Sequence, residues 1–222
     1  REGVPVMYLP VPLQAELLTR AGVKDNQTVI IYSDGESVPG ATMMAYVLEK
    51  IGHPDIKIID GGWTAYKATQ KTSQQYPRYK PGRLSVHQSK TYVTTDEVVK
   101  AAGKPGYKLI DARDRDDYLG QTKLFMRNGH IPGAISIPWP SLMEKENQHK
   151  FKAAAEQQAI YDANGVKKSD TIILYCGTSR DASVQYAVLK HMLGYPKVLL
   201  YEGSWTEYVS HPELPIKVGP EP

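Results

Sequence analysis

Apolar residues in this chain come in short runs that alternate with longer stretches of helical character. The runs are rich in β-branched and aromatic residues and cover residues 28–32, 56–59, 171–175 and 198–201. Runs of this length and composition predict strands buried on both faces. Helices are predicted between them, at 40–51 and 182–193. This alternation predicts an α/β fold in which helices cover both faces of a parallel sheet.

The two halves of the chain repeat one another. Residues 22–33 align without a gap against residues 165–176, so Ser33 falls where the second half has Cys176. Shorter matches follow in the same order, pairing 46–48 with 187–189, 52–54 with 194–196 and 59–63 with 201–205. A repeat of this kind predicts two related structural units.

The second unit has a front part for which the first has no counterpart. This front part contains a predicted helix at 95–102 and a predicted strand at 108–110. We therefore expect an inactive unit over residues 1–68, incomplete at its N-terminus, and a catalytic domain over residues 92–222. Residues 69–91, rich in Gln, Ser, Pro and Lys, are expected to link them. The missing front part suggests a fragment or a processed product of a longer chain.

Charge and hydropathy narrow the choice of partners. The formal net charge of the 222 residues is +3, and no basic run or long apolar segment interrupts the sequence. Nothing here predicts a nucleic-acid groove, a polybasic membrane patch or a membrane helix. We expect a soluble protein of the cytoplasm or the periplasm, with small molecules or proteins as partners and no membrane association.

The only cysteine is the most informative single residue. One thiol excludes an internal disulfide and a multi-thiolate zinc site, which leaves a packing residue or a nucleophile. Cys176 lies between a predicted strand and a predicted helix and is followed by small and polar residues. Loop amides, the helix N-terminus and Arg180 would stabilise a thiolate there. We therefore predict a nucleophile whose pKa lies below the ordinary value of about 8.5.

Several short motifs occur in an order that resembles the rhodanese family. They are Asp111-Ala112-Arg113, Asp117-Tyr118-Leu119-Gly120, the Gly-His-Ile-Pro-Gly-Ala segment at 129–134, the Cys176 loop and Glu202-Gly203-Ser204-Trp205. The resemblance covers residues 92–215, and residues 11–68 resemble the back half of a second rhodanese unit. The two-unit layout is similar to the tandem-domain enzymes that use thiosulfate or 3-mercaptopyruvate.

The resemblance implies a two-step sulfur transfer through covalent catalysis. The Cys176 thiolate would take the outer sulfur of a donor as a persulfide and pass it to cyanide, a thiol or a sulfur-accepting protein. Loop amides would hold the persulfide's charge, and Arg180 would attract an anionic donor. No metal or other cofactor is implied. The implied substrate-binding residues are Gly177, Thr178, Ser179, Arg180, Asp181, Ala182 and Arg113. For Arg113 the resemblance also implies a second role, because in this family it mostly forms an internal scaffold with Asp111 that fixes the end of the strand.

Some positions depart from the family pattern, and two other functions stay open. Thr178 and Asp117 stand where the tandem thiosulfate enzymes usually have cations, which leaves the identity of the donor open. Asp181, as a carboxylate near a thiolate, should turn away or pair with Arg180 or Arg127. A phosphatase of this fold needs Arg at the sixth position after the cysteine, where this chain has Ala182. The remaining alternative is a non-catalytic binding module.

Overall fold

The parallel strands predicted from the apolar runs form in both halves of the chain. The computed structural model describes residues 8–35, 37–75 and 78–222. They divide into two units. The N-terminal unit comprises residues 8–90 and 145–151, and the C-terminal unit comprises residues 91–144 and 152–222.

The N-terminal unit is built on two short parallel strands. Its elements are α1 (Val11–Arg20), β1 (Val29–Ile31), α2 (Pro39–Ile51), β2 (Ile56–Ile58) and α3 (Gly62–Thr69), with a later strand, Asn147–Phe151, numbered β7 below. Strand β1 pairs with β2 in a register that sets Val29 beside Ile56. The core of this unit contains Val11, Ala15, Val47 and Ile51, which α1 and α2 contribute.

The C-terminal unit contains a five-stranded parallel sheet. Its elements are β3 (Tyr92–Val93), α4 (Thr95–Ala101), β4 (Tyr107–Asp111), α5 (Arg115–Leu119), β5 (Ala134–Ser136), a 3-10 turn (Trp139–Leu142), β6 (Met143–Glu144), α6 (Ala154–Ala163), β8 (Thr171–Tyr175), α7 (Ala182–Tyr186), β9 (Val198–Tyr201) and α8 (Ser204–Val209). The strand order is β3-β9-β8-β4-β5, with every neighbouring pair parallel. The sheet confirms the predicted fold class.

The helix predicted after the cysteine loop changes character partway along. Residues Ala182–Tyr186 are α-helical, and Ala187–Met192 form a π-helical segment. The amide of Leu193 bonds to the carbonyl of Val188, five residues back. Val188 and Leu189 are both fully buried in this wider turn. The segment is therefore helical from 182 as predicted, but it is not one regular α-helix.

Large aromatic residues fill the core under the central strands. Tyr118, Tyr175, Tyr201 and Trp205 each expose at most 1% of their surface. Rings of this size each bury a large apolar area, so they contribute much of the stability of the core. Strand β8 is buried along four of its five residues, as its continuous apolar sequence predicted.

The strand order places the loops that contain the predicted site residues at the carboxyl end of the sheet. Strands β9, β8 and β4 are neighbours and run parallel, so the residues that follow them emerge at the same end. This is where open α/β sheets bind their ligands.

Among the described residues, no helix combines the length and the hydropathy needed to cross a membrane.

Candidate active site

Cys176 directly follows β8 and is held at both ends of its backbone by the start of α8. Its amide donates to the hydroxyl of Ser204 at 3.2 Å, and its carbonyl accepts the amide of Trp205 at 2.9 Å. The side chain is fully buried. The thiol is therefore placed by residues that lie almost thirty positions further along the chain.

Three loop amides donate hydrogen bonds to the Cys176 sulfur, and we call these amides of Thr178, Asp181 and Ala182 the amide cradle. The orientation of the first follows from the peptide plane. The carbonyl of Gly177 accepts both the amide of Thr206 at 3.1 Å and its hydroxyl at 2.8 Å. In a trans peptide the N–H points opposite to the C=O, so holding this carbonyl turns the Thr178 amide the other way.

The other two amides of the cradle are turned in the same manner by α7. The Arg180 carbonyl accepts the amide of Ser183 at 3.2 Å and its hydroxyl at 2.6 Å. The Asp181 carbonyl accepts the Val184 amide at 3.0 Å. Because each carbonyl is fixed on the outside, the next N–H in each peptide is directed inward. The cradle is thus set by hydrogen bonds from Ser183, Val184 and Thr206 to the loop carbonyls, rather than by the side chains at 177–181.

The predicted low pKa of Cys176 is wrong. Burial, and after it the nearby Asp181 carboxylate, raise the pKa of the thiol to about 12, although the three cradle amides act to lower it. The free energy lost when a thiolate is removed from water is larger than the free energy gained from three amide hydrogen bonds. The sequence showed the polar loop but not the depth at which the sulfur lies.

Asp181 does not turn away from the thiol, which was one of the two arrangements expected for it. Its carboxylate accepts a hydrogen bond from the thiol, and its own pKa is raised by burial and lowered by the charge of Arg180, one of its two expected partners. Arg127 is engaged elsewhere, since it donates to the carbonyl oxygens of His211 and Leu214. Asp181 therefore stabilises the protonated thiol.

The remaining loop residues differ in exposure. Arg180 is exposed, while Gly177 and Thr178 are partly buried. Ser179 is fully buried, has a φ of 63°, and its hydroxyl has no hydrogen-bond partner within the described part of the chain. A left-handed residue of this kind is uncommon outside glycine. Arg180 is thus the residue of the loop that presents a positive charge to solvent, whereas the Ser179 hydroxyl is buried within the loop without a hydrogen bond.

Arg113 lies under the site rather than in the loop. Only 3% of its surface is exposed, and its guanidinium makes a two-pronged bond to Asp111, with contacts of 3.0 Å and 2.5 Å. It also donates to the Gly129 carbonyl at 2.7 Å and lies 4.5 Å from the centre of the Trp205 ring. This geometry supports a scaffold that braces α8 instead of a direct contact with substrate.

Four residues that shape the active site were not predicted from the sequence. Ser204 and Thr206 orient the loop from α8, and Ser183 does so from α7. The Phe125 ring lies 3.1 Å from where a side chain on Gly177 would begin. Of these four, only Ser204 could have been found from the sequence, because it lies in a segment that the internal repeat matches.

In the described ranges, no group of three or more His, Cys, Asp or Glu residues is placed to hold a metal ion.

Comparison with known families finds the same kind of domain in both halves of the chain. The model of a family described as the rhodanese-like domain matches residues 5–69 and 94–211. These two segments lie on either side of the region predicted to be a linker.

Several proteins resemble this chain over nearly its whole length. A Synechococcus elongatus protein provisionally named a thiosulfate sulfurtransferase is 43% identical, over 98% of this chain and 71% of its own length. The sulfur carrier protein TtuD of Thermus thermophilus is 30% identical, over 93% of this chain and 76% of its own. A thiosulfate sulfurtransferase of Corynebacterium glutamicum is 29% identical, over 92% and 71% respectively.

Solved structures share the fold at lower identity. The wild-type structure of EanB matches with a TM-score of 0.83 and 20% identity. An anaerobic ergothioneine biosynthesis enzyme from Chlorobium limicola matches with a TM-score of 0.82 and 20% identity. Each comparison covers 96% of this chain, which spans just over half the length of those proteins, at 55% and 56%. These likenesses establish the fold.

Proposed function

Because the chain belongs to the rhodanese-like domain family, we propose that it is a sulfurtransferase that moves sulfur from thiosulfate or a similar donor to a thiophilic acceptor through Cys176. The observation that carries this proposal is the amide cradle. A lone cysteine whose sulfur faces three convergent N–H donors is equipped to hold an extra negative sulfur atom.

The first half-reaction transfers the outer sulfur of the donor. The Cys176 sulfur, after losing its proton, attacks the outer sulfur of thiosulfate. The new S–S bond forms as the old one breaks, and sulfite leaves with the bonding electron pair. The amide cradle then stabilises the persulfide charge, as preorganised donors do for other anions.

The second half-reaction restores the thiolate. The acceptor attacks the terminal sulfur of the persulfide, and the bond to Cys176 breaks with its electrons returning to the cysteine. With cyanide the product is thiocyanate. A protein thiol is an equally suitable acceptor, and the similarity to a relative named as a sulfur carrier supports a protein partner for this chain.

Arg180 is the residue that we assign to donor capture. It is the one exposed cation of the loop from Cys176 to Ser183, all of which the structure describes. Its charge would raise the local concentration of an anionic donor while the uncharged amides receive the transferred sulfur. Arg113, in contrast, would act as a positioning residue through its contact with Trp205.

A non-catalytic binding module is the second candidate, and the buried thiol favours it. Full burial and a pKa near 12 are what an inert packing cysteine would show. The two readings differ in whether Cys176 can accept sulfur at all.

Intact-mass analysis after incubation with thiosulfate separates these functions. We expect the protein to gain the mass of one sulfur atom, and cyanide to restore the starting mass while releasing thiocyanate. Cys176→Ser should show neither change. If neither thiosulfate nor 3-mercaptopyruvate adds mass to the folded wild-type protein, the sulfurtransferase proposal fails and the binding module stands.

A further inference from the structure

A second nucleophile and base lie together in the N-terminal unit, where the internal repeat pairs Ser33 with Cys176. Ser33 follows β1 and exposes 5% of its surface. Its hydroxyl oxygen lies 2.6 Å from Nδ1 of His149, which β7 contributes. The two residues are 116 positions apart in sequence, so only the fold brings them together.

The other ring nitrogen of His149 fixes which atom can accept a proton. Nε2 lies 3.0 Å from the carbonyl oxygen of Gly35. A carbonyl oxygen can only accept, so Nε2 carries the hydrogen of the neutral ring and donates it. Nδ1 then presents its lone pair to the Ser33 hydroxyl. A nucleophile, a base and a group that orients the base are the elements of nucleophilic catalysis by serine.

The backbone fixes both members of the pair from the start of α3. The Trp63 amide donates to the Ser33 carbonyl at 2.8 Å, and the Gly61 amide donates to the His149 carbonyl at 2.9 Å. A side chain on Gly62 would begin 3.0 Å from the serine oxygen and 3.1 Å from Cβ of His149. Glycine at this position, with a φ of 65°, therefore keeps the space beside the hydroxyl free of a side chain.

We propose that the N-terminal unit, predicted from the sequence to be inactive, has a catalytic site of its own, in which Ser33 and His149 take acyl groups from small neutral esters. Ser33 Oγ attacks the ester carbonyl as His149 Nδ1 takes its proton, and the leaving alcohol departs with that proton. Water then attacks the acyl-serine with His149 as base, which releases the carboxylic acid and restores the serine. The exposed carboxylates of Asp34 and Asp60 nearby disfavour anionic esters, and the small exposed area of Ser33 disfavours bulky ones.

This activity is independent of the sulfur transfer proposed for Cys176, and it is tested separately. The protein used is the full chain carrying Cys176→Ala, so that no nucleophile at this position competes for the reagent. Methanesulfonyl fluoride serves as a small covalent probe, and 4-nitrophenyl acetate serves as the ester. Intact mass and peptide mapping locate the sulfonyl adduct, and stopped-flow absorbance follows the release of nitrophenolate.

We expect one adduct, on Ser33, and a burst of nitrophenolate that approaches one equivalent. His149→Gln should slow the labelling at least tenfold, and Ser33→Ala should abolish it. The control variants Ser73→Ala and His87→Gln change exposed residues of the same unit and should label like the parent.

Two results would overturn the proposal. One is a folded parent protein that gains no adduct, or gains it on a residue other than Ser33. The other is a His149→Gln variant that labels as fast as its parent. Since mapping on the parent needs no further substitution, a variant that fails to fold does not remove the first of these tests.

Discussion

Replacing Asp181 with asparagine should make the Cys176 thiol more acidic and more reactive. The carboxylate accepts a hydrogen bond from the thiol and opposes its ionisation through its negative charge. Asparagine keeps the size of the side chain and removes the charge. The three amides of the cradle stay in place, because their orientation depends on hydrogen bonds from α7 and α8 to the loop carbonyls.

The size of the effect follows from the charge interaction. Two unit charges about 4 Å apart at an effective dielectric constant of about 20 interact by about 4 kcal/mol, which corresponds to about 3 pKa units. Asp181 is only partly buried and Arg180 offsets its charge, so solvent and counter-charge reduce this to about 1 to 2 units. The thiolate fraction near neutral pH then rises about 10- to 100-fold. A less basic thiolate is also a weaker nucleophile, which leaves a rate increase of about 3- to 15-fold.

Iodoacetamide measures this difference, because the reagent is neutral and does not respond to the altered charge. The second-order rate constant is followed by intact mass at several pH values, with Asp116→Asn as the control, since Asp116 is an exposed carboxylate on α5. The control should react like the wild type. An Asp181→Asn protein with wild-type circular dichroism and an equal or slower rate would refute the assignment of Asp181 as the residue that keeps the thiol protonated.

Three further predictions concern pH, donor capture and the scaffold. Since only the thiolate attacks and the pKa of Cys176 is about 12, kcat/KM for thiosulfate should rise by about tenfold per pH unit across the neutral range; a flat profile would contradict this. Arg180→Ala should raise KM for thiosulfate and weaken its dependence on ionic strength, and a fall in kcat alone would place the charge in the transition state instead. Arg113→Met leaves Asp111 buried without its partner and should destabilise the protein by about 3 to 5 kcal/mol in urea unfolding, whereas a loss below about 1 kcal/mol would contradict the scaffold role.

The sequence predicted the parts of the fold that depend on local composition. Strands at 171–175 and 198–201 have the predicted bounds, because residues buried on both faces must be apolar throughout. The internal repeat also extends to geometry. The carbonyl of Ser33 accepts the amide of Trp63, just as the carbonyl of Cys176 accepts the amide of Trp205.

Features that depend on how deeply an atom is buried, or on residues far apart in the chain, could not be predicted from the sequence. The pKa of Cys176 was predicted in the wrong direction, because a polar loop can still bury the atom that it surrounds. The partner of Ser33 could not be predicted, because nothing in the segment around His149 repeats or resembles a motif. Both features are decided by tertiary contacts, and these cannot be inferred from the spacing of residues along the chain.

The way the amide cradle is held has a consequence for how this protein could be redesigned. In the function proposed above, peptide groups recognise the anion, and Ser183, Val184 and Thr206 fix the direction of those groups. Gly177 has the Phe125 ring beside it and Asp181 bonds to the thiol, so the side chains of Thr178 and Arg180 are the ones that can be exchanged. A library varied only at Thr178 and Arg180 would exchange one donor preference for another without rebuilding the reactive centre, while a single change at Thr206 would disturb every member of that library alike.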